Sequence, residues 1–140
     1  MLRRTFIALA CAASFAAPTT LLAQTWPSRP VTLVVPNAAG GGTDTVARLM
    51  ADQLSKQFGS SFVVENRTGG SGLIGTNAVI QAEPDGYTLL ASAFNTAVMP
   101  MVLKGATFDP ETDLEVISRT AVAPLVCVMT GTRPQKTMNE

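Results

Sequence analysis

Histidine is absent from all 140 residues of the chain. Its absence removes the Ser/His/Asp and Cys/His nucleophilic arrangements and every histidine-ligated metal site. Charge is sparse and balanced: ten basic side chains face ten acidic ones, and charged residues make up 14% of the chain against 46% hydrophobic. Neither a polybasic nucleic-acid reader nor a charge-rich disordered tail has this composition. Cysteine occurs twice, as Cys11 and Cys127. The apolar, Ala-rich run from Phe6 to Ala17 is too short to cross a bilayer.

That run follows Arg3 and Arg4 and precedes Leu21-Leu22-Ala23, with a cut expected before Gln24. Residues 1–23 therefore read as a secretory signal peptide rather than as an N-terminal amphipathic helix. Arg3-Arg4-Thr5-Phe6-Ile7 also resembles the twin-arginine export signal, although Leu2 precedes it, and the Sec and twin-arginine routes both stay open. Removal of residues 1–23 takes Cys11 with it and leaves eight basic against ten acidic side chains, a formal charge of −2. Cys127 is then alone, so no internal disulfide forms despite an export context that would permit one. It sits in Leu125-Val126-Cys127-Val128-Met129, where a buried small hydrophobe is expected.

The mature chain alternates strands and helices. Val31 to Val35 is a β-branched run ended by Pro36, suited to a strand buried on both faces. After a glycine loop over 37–43, Val46, Leu49, Met50, Leu54 and Phe58 recur at helical spacing, with Thr43 or Asp44 as the expected cap and Gly59 as the stop. Phe62 to Glu65 reads as a second strand, 66–72 as a second glycine loop, and Leu73 to Ala82 as a second helix stopped by Glu83-Pro84-Asp85-Gly86. Tyr87 to Ala91 reads as the third strand. The βαβαβ order implies an α/β fold with a parallel sheet and right-handed crossovers. Beyond it a short helix over 94–103, a polar turn over 109–113 and extended runs over 114–118 and 121–129 are expected. Gly131 to Pro134 punctuates the last run, and 135–140 reads as the opening of a helix.

In a parallel sheet the strand carboxyl ends share one edge, so the loops at 36–43, 66–72 and 92–97 should gather there, where open α/β sheets bind ligands. Two of them are glycine-rich and enter helix N-termini, whose unpaired N–H groups and positive dipole end suit small anions. Gly72, lacking a Cβ, is expected to admit a carboxylate close to the backbone. Asp44 is expected either to cap the helix or to contact an amine of the ligand, and it would repel an anion bound beside it, so Asp44→Asn is expected to leave dicarboxylate affinity unchanged or improved.

Sharper motifs fail on detail. Gly70-Ser71-Gly72-Leu73-Ile74-Gly75 matches the dinucleotide fingerprint but begins five residues after Glu65, with no acidic residue near 92–97 to hold a ribose. The Gly40 loop lacks the Gly-Lys-Ser/Thr ending of a nucleotide triphosphatase. The acidic stretch from Asp109 to Glu115 has Leu114 and Thr120 where a calcium loop needs glycine and glutamate. No catalytic residue, metal site or cofactor is expected.

The motifs, taken in order, resemble a family. Trp26-Pro27-Ser28-Arg29-Pro30, then Val34-Val35-Pro36 with Ala39-Gly40-Gly41-Gly42-Thr43-Asp44, then Val64-Glu65-Asn66-Arg67 with Ile74-Gly75, then Pro84-Asp85-Gly86-Tyr87-Thr88-Leu89-Leu90, then Phe108-Asp109-Pro110 with Asp113 and Ser118, are similar to motifs of the tripartite tricarboxylate transporter substrate-binding proteins, or Bug family. The resemblance runs from Trp26 to about Met129 and implies a two-lobed periplasmic-binding-protein fold of type II-like design. It implies an exported, periplasmic receptor, not an enzyme, that closes on a small carboxylate and delivers it to the permease subunits of a membrane transporter.

Carried over, the ligand-binding residues are Ala39, Gly40, Gly41 and Thr43, then Gly70, Ser71, Gly72 and Ile74, then Ser92 and Asn95. Departures stand at Asn37, where an aromatic is frequent, at Thr68, where proline is usual, and at Gly70-Ser71, where Ala-Gly is common. Members are also much longer. The resemblance thus divides the chain into a signal peptide (1–23), a partial first lobe (24–120) and the start of a crossover into a second lobe (121–140), as a fragment or truncated product expected to bind weakly without the second lobe. The competing readings are an exported α/β cofactor-binding or enzyme domain and a non-functional remnant.

Overall fold

The computed structural model describes residues 25–124. The signal peptide, Cys127 with most of its apolar run, Gly131 to Pro134 and the helix expected at 135–140 lie outside the described residues. Within them, strand β1 (Val31–Val35), helix α1 (Gly42–Phe58), strand β2 (Phe62–Asn66), helix α2 (Leu73–Ile80), strand β3 (Thr88–Leu90) and helix α3 (Asn95–Val102) follow in order. The strands form one sheet in the order β2-β1-β3, parallel throughout, with Leu33 opposite both Val64 and Leu89. The expected βαβαβ unit is therefore present, and its boundaries shift by one or two residues at β2, α2 and β3.

The chain passes from β1 to β2 on one side and then crosses from β2 to β3 on the other side of β1. Right-handed crossovers put α1 and α2 on opposite faces of such a sheet, which makes β1 its central strand. Its burial agrees: Val31, Leu33, Val34 and Val35 are all within the core. Val31 and Leu33 pack with Phe62 and with Ala51 of α1, and Leu54, Val64, Tyr87 and Leu89 close around them. A second cluster, Met99, Ala106 and Phe108, gathers Leu73 and Ile80 of α2 with Leu103 and Leu114.

The stripe that helix α1 buries only partly coincides with the one its hydrophobic spacing predicts. Asp44, Ala47 and Ala51 face inward, whereas Leu49 is 64% exposed and Phe58 42% exposed. Small side chains let the helix lie close to the sheet, Leu54 packs against the core beside them, and Leu49 is turned off that contact line. Two substitutions separate the readings. Leu49→Ala should leave stability within about 0.5 kcal/mol, while Ala51→Leu should cost roughly 1–3 kcal/mol by overpacking. Urea unfolding of the two variants measures both, and a larger loss from Leu49→Ala would restore the predicted stripe.

The expected cap is corrected as well. The residue before the first helical turn is Gly41, with no side-chain cap, and Gly59 ends the helix in the left-handed conformation as anticipated. Helix α1 runs for 17 residues, closer to five turns than to four. The stretch 114–118 and the described part of 121–129 join no strand, and Val116, Ile117 and Val122 are exposed. An extended run becomes a strand only where an edge receives its backbone groups, and none here does.

The opposite, amino edge of the sheet is closed by two of the motifs. Trp26 packs edge-on against Phe58 and Phe62 and lies 6.2 Å from Tyr87. Ser28 N–H donates to the Tyr87 hydroxyl at 2.8 Å, Arg29 pairs with Asp85 at 2.7 Å, and its guanidinium lies 4.0 Å from the centre of the Tyr87 ring. Trp26 to Pro30 and Pro84 to Tyr87 thus act as a clamp across the start of the three strands. The remaining glycine motifs lie at the far end.

Candidate functional site

The loops after β1 and β2, and the turn that follows β3, converge at the carboxyl edge. Arg67 N–H donates to Val35 O at 2.9 Å and Ala91 N–H donates to Val34 O at 2.9 Å, so the chain leaving each outer strand is still tied to β1. Gly75 sits directly on Pro36: a Cβ there would lie 2.9 Å from Pro36 Cα and 2.7 Å from Arg67 O. Gly72 packs between Pro36 and Met99 of α3.

In the first loop Ala39, Gly40 and Gly41 are exposed and Thr43 is half-buried. The first intrahelical bond of α1 runs from Thr45 N–H to Gly41 O. The N–H groups of Gly42, Thr43 and Asp44 therefore precede the helical ladder, as helix geometry requires. Those of Gly42 and Thr43 form a pair of backbone donors at the positive end of a 17-residue helix.

Asp44 belongs to this loop in a way its residue type did not reveal. It is 2% exposed. One oxygen accepts Gly40 N–H at 2.8 Å and Arg48 Nε–H at 2.9 Å, and the other accepts Asn66 Nδ2–H at 2.9 Å. Asn66 also donates to Asn37 O at 3.1 Å and accepts from Arg48 Nη2 at 3.0 Å. The carboxylate thus reaches back from the first turn to the loop, to the residue before the cap Gly41. Arg48, then Gly40 and Asn66, hold the Asp44 carboxyl far below the ordinary carboxylate range, against the opposing effect of burial. Its contribution to stability is accordingly complete above the unfolded carboxylate value of about 3.9 and is lost only as pH falls toward the depressed folded value. Arg48 was not singled out from sequence, and Asn66 was seen only as a member of the motif Val64 to Arg67. The only local signal was the spacing of Asp44 and Arg48, one helical turn apart.

In the second loop Gly70 and Ser71 are exposed, Gly72 is buried, and Ile74 is 58% exposed. Ser71 adopts φ 58°, the left-handed region that glycine enters without a Cβ penalty. That is a physical reason for the glycine commonly found there in the similar family. Gly72 N–H donates to Gly69 O at 2.9 Å, and Ile74 N–H points to the same oxygen at 3.4 Å. With φ 101°, Gly72 needs to be glycine for its backbone conformation, and a Cβ there would meet Pro36 and Met99 only at ordinary contact distance. After β3, Ser92 and Asn95 are half-buried, and Ser92 Oγ hydrogen-bonds to Thr96 Oγ1.

Among the described residues no group of three or more histidine, cysteine, aspartate or glutamate side chains is placed to hold a metal ion. The acidic stretch at Asp109 closes on itself: Asp113 accepts Asp109 N–H and Asp109 accepts Glu111 N–H, each at 2.9 Å. The arrangement at the loop edge can bind and orient an anion through backbone donors.

Comparison with known proteins points the same way. The sequence profile of the tripartite tricarboxylate transporter family receptors matches residues 46–140. A UPF0065 protein of Bordetella bronchiseptica is 43% identical over 104 residues, 74% of this chain and 31% of that protein. The protein BugT of Bordetella pertussis is 39% identical over 118 residues, 83% of this chain and 36% of its own length. The chain spans about a third of the length of these curated relatives. Among solved structures, the periplasmic binding protein BugD superposes with a TM-score of 0.60 at 43% identity, covering 63% of this chain and 29% of that one. MatC from Rhodopseudomonas palustris, solved with bound malate, gives a TM-score of 0.60 at 37% identity, covering 63% of this chain and 30% of that one.

Proposed function

The chain belongs to the tripartite tricarboxylate transporter family of receptors, and from that membership we propose that its loop edge binds the carboxylate of a small organic acid as part of a solute receptor. The observation that carries the reading is the pair of backbone donors at Gly42 and Thr43, held at the positive end of α1 where the three loops converge. Backbone donors at a helix start favour an anion without requiring a charged side chain.

In this reading Ala39, Gly40, Gly41 and Thr43 form one wall, Gly70, Ser71, Gly72 and Ile74 the second, and Ser92 and Asn95 the floor. Gly72 acts by shaping its loop, since its own N–H is occupied. Residues 24–120 supply the first lobe of a two-lobed receptor and 121–140 begin the crossover to the second. Residues 1–23 direct export, the receptor works in the periplasm, and it passes its acid unchanged to membrane permease subunits. Malate, the acid bound in the MatC structure, is the first candidate.

A thermal-shift series on the 140-residue chain tests the proposal. Malate at about 100 times its dissociation constant should stabilise the folded chain by about 2.7 kcal/mol, and its uncharged dimethyl ester should have no effect. Recovery of unaltered malate after incubation distinguishes a receptor from an enzyme. Equal stabilisation by acid and ester, or none by any member of a carboxylate panel at concentrations that would saturate a weak site, overturns the reading.

A further inference from the structure

We infer that Asp44 is a positioning residue for carboxylate recognition: through Gly40 and Asn66 it braces the first loop against β2 and so sets where the Gly42 and Thr43 donors point. The inference rests on the proposed carboxylate site and adds what holds that site in shape.

The geometry leaves Asp44 little other role. Both its oxygens already accept protein donors, two on Oδ2 and one on Oδ1, and the side chain is buried. It is therefore not available to a ligand ammonium. Its partners instead span the site. Gly40 lies two residues before the exposed donors, Asn66 ends β2, and the same Asn66 amide group also holds Asn37 O at the start of the loop. One carboxylate and one amide thus fix both ends of the loop that carries the donors. Arg48 bonds to both side chains and keeps them in register. Without these bonds an exposed segment containing three successive glycines, Gly40 to Gly42, regains the freedom typical of glycine, and a ligand would have to order it on binding.

Charge and position make opposite predictions. Asp44 is an anion in the first turn of the helix whose start receives the ligand, so removing its charge should strengthen carboxylate binding if electrostatics alone decides. This is the outcome expected from sequence. The brace reverses it: Asp44→Asn puts an amide donor where donors already converge, and affinity should fall about tenfold although a repelling charge has gone.

The experiment is a malate titration of the isotope-labelled 140-residue chain, followed by the backbone amide signals of Gly40, Gly42 and Thr43. In the wild type the Gly40 amide should exchange slowly for an exposed loop, and malate should shift Gly42 and Thr43. In Asp44→Asn the strand signals should persist, the Gly40 signal should move, and malate should bind about tenfold more weakly. Asn66→Ala, which removes the tie to β2 but keeps the Asp44 charge, should weaken binding in the same direction. A purely structural role would lower the melting temperature of these variants and leave the affinity of the folded chain unchanged.

Unchanged or tighter malate binding in either folded variant overturns the inference while leaving the carboxylate site standing. A wild type whose Gly42 and Thr43 ignore malate overturns the site, and the positioning role with it. Should both variants fail to fold, rapid exchange of Gly40 in the wild type overturns the brace and slow exchange supports it.

Discussion

Gly75→Ala should lower the melting temperature by roughly 5–15 °C, although alanine is the better helix former. Two effects compete at this position. Gly75 lies in the first turn of α2, where alanine would ordinarily gain up to about 1 kcal/mol over glycine. Against that, the new Cβ would stand 2.7 Å from Arg67 O and 2.9 Å from Pro36 Cα. Both are backbone atoms in chain segments tied to β1, so no side-chain rotation relieves the overlap. Relief requires α2 to lift from the first loop, and overpacking of this kind typically costs 1–3 kcal/mol, enough to exceed the propensity gain. Because that displacement would part the two glycine loops, binding at the proposed carboxylate site should weaken along with stability. Thermal unfolding followed by far-ultraviolet circular dichroism measures the effect. A variant melting within about 2 °C of the parent would show that the loops yield easily.

Leu33→Ala should cost more still, roughly 2–5 kcal/mol. Leu33 is 2% exposed at the middle of the central strand. It packs in one cluster with Val31, Phe62 and Ala51 and is paired in register with both outer strands. The sheet pins its backbone from both sides, so the cavity left by truncation cannot readily collapse, and the penalty contains a cavity term as well as a transfer term. Urea unfolding should show an earlier midpoint with an unchanged slope. A loss below about 1 kcal/mol would place the organising core elsewhere.

The comparison of the two glycines explains part of what was legible in advance. Glycine loops between the strands and helices of a parallel sheet announce a shared loop edge from residue types alone, and the three loops do meet there. What Gly72 does there was not legible. Its requirement for glycine arises from φ 101°, a conformation taken up where the loop folds against Pro36 and Met99, residues distant in sequence and adjacent only after folding. Similarly, Trp26 and Tyr87 were visible as members of ordered motifs, but their meeting across the amino edge depends on three strands starting side by side.

The sequence by itself determined the order and type of the elements through β1, α1, β2, α2, β3 and α3, because hydrophobic periodicity, glycine stops and Pro/Asp/Gly turns are local signals read within a few residues. It also carried the family, through motifs that keep their order along the chain. Tertiary structure alone decided which stripe of α1 is buried, since Ala47 and Ala51 face inward only because the helix lies close to a sheet whose position no single segment encodes. It alone decided the role of Asp44. The bonds to Gly40 and Arg48 are local, but the bond to Asn66, 22 residues away, exists only after β2 has come to lie beside β1, and that pairing makes a helix-start acid into a tie between two loops.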